Sequence, residues 1–506
     1  MNRILTTTFI SCLALTAIFS QKSKTYTLDE AMINPEKVYD LVLVPTDNES
    51  FFSENIERLI NLERLRLVNN YKITNLPDGI TQLEELKEFY CEGCEFNFAE
   101  LWFPKLKNVK KMTLRGGNIY LPDEIGQLSN LRFLLVRNDS LNKLPSSIGK
   151  LSELRHLNIN GSNLNELPSS IGKLSKLETL DLPDNQIVSL PLEIGCLKNL
   201  TELNLRNNKI TQLPSTLGEL SSLKELEINS NKLKEIPKEI GNLENLWLLS
   251  LSDNPLSEIP KELSQLKKLE ILLVDKNTLE LLPLEVGSMD NLAEITFHDD
   301  GEGIFPPDIE KITYLKKLYI SHTGITSLPK EIGNLKHLTH LEIIVNYGLT
   351  SLPKEIGNFK KLRWLLLQSN NLDSLPSEIG GLTSLTHLYV IKNRLKKIPR
   401  EIGQLSQLNK LYLDNNQLIS LPSEIGELMS LKHLSLTENR LSEIPREIGQ
   451  LSQLNELHLN NNQLISLPEE IGNLKNLKKL TLVNNNISKE EQRRIESLLP
   501  NTKIFF

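Results

Sequence analysis

The sequence predicts an α/β solenoid, a stack of short coils that each hold one strand and one helical turn. Two observations predict it. Proline recurs every 23 residues from Pro122 to Pro329, takes one 24-residue step to Pro353, and keeps the 23-residue beat to Pro468. Each proline sits in one motif, LPxEIGxLxxLxxLxLxxNxL. A fixed period of this length marks stacked supersecondary units rather than a globular enzyme.

The strand comes from the LxL segment. Leu203 and Leu205 alternate with Glu202, Asn204 and Arg206, so leucines face in and variable residues face out. Leu213-Pro214 ends the strand side, because proline lacks the donor a ladder needs. Lys238–Leu243 reads as a short helical turn with Ile240 and Leu243 inward, and Gly241 is expected to permit a tight bend. One such coil cannot bury its leucines alone, so its neighbours must cover them.

The recurring asparagine stands at Asn185, Asn208, Asn231, Asn254, Asn277, Asn346, Asn370, Asn393, Asn416, Asn439, Asn462 and Asn485. Where the chain leaves the strand, buried backbone groups lose their partners at roughly 1–3 kcal/mol each. An inward amide supplies both donor and acceptor, so a ladder of asparagines from coil to coil is expected. Asp139, Ser162, Asp300 and Thr323 are expected to stand in where the asparagine is absent.

On these residues the chain resembles the leucine-rich repeat family, in the 23-residue class with IGxL on the outer side. Plant Ras-group repeat proteins, animal Ras-pathway scaffolds and many bacterial proteins, secreted ones among them, carry that class. The resemblance covers about residues 38–506. It implies a right-handed horseshoe solenoid with a concave parallel sheet and a short helical or irregular convex side, in keeping with the usual hand of parallel crossovers.

The expected organisation has four parts. Residues 1–20 read as a signal peptide: Arg3 is the basic start, Ile4–Phe19 is mainly apolar, and Ser20 precedes the cut. The run of roughly 16 residues is short of the ~20 a membrane span needs, so no transmembrane segment is expected after cleavage. A lipoprotein signal at Cys12 is disfavoured, because the apolar run continues beyond it. Residues 21–60 read as an N-terminal cap and degenerate first repeat, with Leu28, Ala31 and Met32 on one helical side. Residues 61–487 are the repeats. Residues 488–506 read as a capping helix and edge strand, with a Ser488/Glu491 capping box and an apolar side of Ile495, Leu498 and Leu499.

Composition narrows the function. The net charge is −7, and loss of residues 1–20, whose one charge is Arg3, makes it −8. Basic and acidic residues are interspersed, so nucleic acid is not an expected partner. Cys91 and Cys94 fall on inward positions and read as free core cysteines rather than a metal or redox pair. No catalytic signature stands out, and no cofactor or metal is expected. The bacterial ubiquitin-ligase effectors carry similar repeats but append a catalytic domain, which is not expected here. The acidic stretch His298–Gly303 lacks calcium-loop spacing and reads as a distorted repeat.

Information is expected on the concave face. Seven of the eight histidines fall there or on the adjoining turn. Large apolar residues also take outward strand positions, including Phe133, Leu135, Leu248, Ile271 and Leu273. The richest patch comprises Tyr319, His340, Trp364, Leu366, His387, Tyr389, Tyr412, His433 and His458. Aromatics on an open sheet suit a desolvated contact patch, although side-by-side aromatics also stabilise a sheet by themselves. The expected function is an exported module, secreted or at the cell surface or periplasm, that docks a protein partner in the concavity. The alternatives are a glycan-binding or adhesive surface, with Trp364, Tyr389 and Tyr412 as stacking platforms, and a cytoplasmic signalling scaffold. An enzyme is not expected.

Overall fold

In the computed structural model the period of the sequence becomes a period of backbone hydrogen bonds. The structure describes residues 25–44, 54–69, 76–94, 103–116, 120–275, 278, 281–283, 285–286, 289, 291–298, 309–310 and 312–506. The proposed signal peptide, Asn277 and the stretch 299–303 lie outside the described residues. The chain divides into two compact units, Met1–Glu225 and Leu226–Phe506.

The first unit carries β1 (Asp40–Leu43), β2 (Arg64–Val68), β3 (Glu88–Glu92), β4 (Lys111–Arg115), β5 (Phe133–Arg137), β6 (His156–Ile159), β7 (Thr179–Asp181) and β8 (Glu202–Asn204). They pair in chain order, all parallel. Helix α1 (Leu28–Ile33) buries Leu28 and Ala31 at its start, and Tyr26 bridges to Leu41. β9 (Glu225–Glu227) falls where the sequence divides.

The second unit carries β10 (Leu248–Ser250), β11 (Ile271–Val274), β12 (Glu294–His298), β13 (Lys317–Ser321), β14 (His340–Ile344), β15 (Trp364–Gln368) and β16 (His387–Tyr389). It continues with β17 (Lys410–Tyr412), β18 (His433–Ser435), β19 (Glu456–His458), β20 (Lys479–Thr481) and β21 (Lys503–Phe505). These too are parallel and sequential. Helix α2 (Lys489–Leu498) precedes β21 and buries Ile495. The register steps by 23 residues from Lys317 to His340 but by 24 from His340 to Trp364. The extra residue is taken up at Tyr347-Gly348, just past the buried Asn346.

Proline starts the outer turn. Pro214 has φ −70° and ψ 146°, and its carbonyl accepts from Leu217 N at 3.0 Å, opening the five-residue 3-10 helix Ser215–Glu219. The missing N–H costs nothing there, since no ladder partner remains.

Four expectations change. Gly241 does not make the bend, since its φ is not positive; a Cβ on it would lie 2.5 Å from Glu262 O in the next coil. The glycine therefore permits close stacking of coils. The left-handed turn falls instead on the residue before each ladder asparagine, such as Asp184 (φ 58°), Asn207 (φ 53°) and Asn415 (φ 58°). Asp139 is exposed and Asn138 is the buried residue, donating to Gly116 O at 3.0 Å. Cys91 and Cys94 are buried as expected but joined by a disulfide, not free. Ser488 caps α2 by accepting from Glu491 N, but Glu491 does not return the bond. Its carboxylate accepts from Leu467 N at 3.0 Å and holds Arg494 at 2.7 Å, which keeps it below the usual carboxylate range.

The asparagine ladder forms through the backbone rather than amide to amide. Asn416 Nδ2 donates to Val390 O at 2.6 Å and Leu413 O at 3.0 Å, while its Oδ1 accepts from Leu395 N at 3.1 Å. Each amide thus ties its own turn to the preceding coil, satisfying groups that have left the ladder.

Candidate functional site

Parallel pairing with alternating side chains lays the outward residues of β13 to β20 in two rows. The first row runs Lys317, His340, Trp364, His387, Lys410, His433, Glu456, Lys479. The second runs Tyr319, Glu342, Leu366, Tyr389, Tyr412, Ser435, His458, Thr481. The leucines between them, from Leu318 to Leu480, are fully buried.

The rows bring five of the nine expected residues into one stack. Trp364 lies on His387 with ring centres 4.9 Å apart and planes 27° apart, and 4.9 Å from Tyr389. His340 stacks on its other side at 6.5 Å, and Tyr389 meets Tyr412 at 4.9 Å. Leu366 lies in register between Glu342 and Tyr389. The remaining three lie outside this stack. Glu342 separates Tyr319 from the stack in its row. His433 and His458 gather instead around Glu456 Oε2, at 3.6 and 3.2 Å.

Burial sets the electrostatics. It holds His340 and His387 below the usual histidine range, with Lys317 adding to the effect at His340 and Lys410 at His387. Burial also pushes the Tyr389 phenol up to about 12, with Tyr412 adding to it. Glu342 is raised by burial, while Glu456 is lowered by its bond to His458. The threonines before the strands assign the tautomers. Thr339 and Thr386 donate their hydroxyls to Lys316 O (3.0 Å) and Arg363 O (2.8 Å). His340 Nδ1 and His387 Nδ1 must then donate to Thr339 Oγ1 (3.0 Å) and Thr386 Oγ1 (2.9 Å) respectively. Nε2 is left as the acceptor on each ring. Trp364 Nε1 is covered from solvent and closes no hydrogen bond of normal geometry, yet it lies near enough to the Glu342 carboxyl to lower it against the effect of burial.

Lys317, Glu342, Lys410 and Glu456 belong to the face as much as the aromatics do. Strand alternation in the sequence already marks them as outward; weighing residues by aromaticity alone passed over them. Two outward leucines contribute less than expected, since Leu135 and Leu248 are 6% and 8% exposed. Among the described residues no group of three or more histidine, cysteine, aspartate or glutamate side chains is placed to hold a metal ion. No described helix is long and apolar enough to cross a membrane.

Stacked parallel strands, 3-10 outer turns and an open sheet face define an α/β repeat solenoid. Family models described as leucine-rich repeat region match residues 147–232, 302–411 and 400–499, and one described as leucine rich repeat matches 221–279. The chain belongs to the leucine-rich repeat family. A solved leucine-rich repeat protein of Leptospira interrogans is 32% identical, covering 96% of this chain and 100% of its own, with a TM-score of 0.54. The Toll–Spätzle complex of Drosophila is similar in fold at 20% identity and TM-score 0.63, over 90% of this chain and 58% of that one. A 90-residue stretch, 18% of this chain, is 31% identical to an adenylate cyclase of Schizosaccharomyces pombe and spans 5% of that protein.

Proposed function

We propose that the protein is an exported protein-binding module that docks its partner on the outward sheet face of β13 to β19. The observation that carries this reading is the stack of His340, Trp364, His387, Tyr389 and Tyr412 on the open face. Apolar rings grouped on an open face suit an anchor that becomes dry when a partner lands. Export is supported by the basic, apolar and small-residue order of residues 1–20.

The test is crosslinking capture from the native surroundings, followed by affinity measurement on the captured partner. Trp364→Ala is expected to cost about 2 kcal/mol, roughly 30-fold in Kd, with little change in melting temperature. Alanine at the outer-side Lys238 or Glu331 is expected to leave affinity within error. Silence at Trp364 with loss at Lys238 would move the site off this face. Retention on a polysaccharide array that depends on Trp364, with no captured protein that does, would make the surface glycan-binding. Mass spectrometry of the mature protein is expected to find an N-terminus near Gln21; an intact Met1 in the cytosol would remove export.

A further inference from the structure

What surrounds the aromatic stack decides which partner fits it. The residue just before each strand also joins the ladder from coil to coil. Arg363 N donates to Thr339 O at 2.8 Å, Lys432 N to Asn409 O at 2.9 Å, and Lys478 N to Asn455 O at 2.8 Å. This flank therefore runs alongside the two outward rows. From Lys316 to Lys478 it spans seven strand steps, on the order of 34 Å at the usual spacing.

The charges on the two sides of the stack are not equivalent. Lys316, Arg363, Lys432 and Lys478 stand exposed on the flank, and Lys410 and Lys479 add to it from the first row. Glu342, beside Trp364, is raised by burial, and the other carboxylates of the face are already engaged. Glu294 is held by Lys317 at 3.0 Å, and Glu456 by His433 and His458. Asp414 accepts from the Ser435 hydroxyl and from Thr437 N at 2.9 Å. The six cations form no ion pair with a described residue. A chain of net charge −7 thus carries an unneutralised positive edge beside its aromatic stack.

We infer that the partner presents an acidic, extended peptide segment, whose carboxylates lie along this basic flank while one apolar side chain seats against Trp364, Leu366 and Tyr389. The inference rests on the docking face proposed above. Some ten residues of extended chain match the length of the flank at about 3.3 Å per residue. The dry side of the stack takes an aliphatic or aromatic side chain. An anionic glycan would answer the charge but not the apolar seat at Leu366. Exposed lysines contribute mainly through complementarity and rate, so binding should weaken with salt.

A random dodecamer display library panned on the mature chain tests this directly. Enrichment of Asp- and Glu-rich dodecamers with a central Leu, Phe or Trp is expected. Their affinity should fall roughly tenfold in a Lys410→Glu/Lys432→Glu variant whose melting curve matches the parent. Enrichment of basic or uncharged dodecamers, no enrichment at all, or acidic binders that tolerate the charge reversal would each overturn the inference. The natural partner separates this from the docking reading. If Trp364→Ala weakens its binding and the charge reversal does not, the face stands and the acidic partner falls. If neither matters, both fall.

Discussion

The outward face of β5 to β8 and that of β14 to β17 rest on the same kind of leucine core, yet they end differently. In the first unit the polar side chains consume one another. Asn158 donates to the Asp181 carboxylate, Asn160 to Asn158 at 2.6 Å, and His156 meets Thr179 at 3.2 Å. Arg155 pairs with Glu178, and the Lys111 ammonium lies 5.5 Å from the Phe133 ring centre. In the second unit the same positions hold rings that stack on one another. Polar side chains in register close a sheet face by themselves. Rings in register close only their apolar sides, and that is the difference between a solvated stripe and a contact surface.

The comparison assumes a shared core, and the strongest test breaks that core in either unit. Leu180→Asp and Leu411→Asp each place a carboxylate at a fully buried site with no cationic neighbour on the inward row. Each is expected to cost roughly 4 kcal/mol or more and to open the stack, read as lost thermal unfolding cooperativity. An unchanged melting curve in either variant would invalidate the assignment of inside and outside for that unit.

A smaller effect separates the interior of the stack from its end. A Cβ on Gly449 would lie 2.3 Å from Glu470 O, whereas on Gly472 it would meet only Leu498 of α2, at 3.3 Å. Gly449→Ala is therefore expected to destabilise by about 1–3 kcal/mol in urea titration, and Gly472→Ala by much less. Equal effects would restore the bend as the reason for the glycine.

The smallest expected effect is the pH dependence of the aromatic face. His340 and His387 have values below the ordinary 6.5 when folded, chiefly through burial. The folded chain thus resists protonation that the unfolded chain accepts. Their contribution is full above pH 6.5 and is lost as the pH falls through their lowered folded values. Melting temperature should decline modestly from pH 7 to 5, and His340→Gln/His387→Gln should flatten that slope. Replacement of His156, also lowered by burial in the first unit, tests whether the slope is particular to the second. A slope indifferent to the paired substitution would place its origin elsewhere.

The fold was legible because it is repetitive. Each coil repeats the same inward leucines, the same proline and the same amide, so a misread coil is corrected by its neighbours. The candidate surface was legible only as a set of outward positions. Strand alternation placed Trp364, Tyr389 and Tyr412 side by side without coordinates. It could not show that Glu456 draws His433 and His458 into a separate cluster, because that outcome depends on rotamers across strands.

By itself, then, the sequence determined the period, the inward and outward sides, the proline-led outer turns and the capping helix at the end, all consequences of local chemistry repeated at constant spacing. Tertiary structure alone decided the rest. The glycine of the IGxL turn is needed for its neighbour's carbonyl at 2.5 Å and not for its own backbone angles. The asparagine bonds backbone groups of two coils rather than another asparagine. Cys91 and Cys94 close a disulfide that inward placement alone did not announce. In each case the deciding atom belongs to another coil or another side chain, and its distance is set by stacking, which no local pattern encodes.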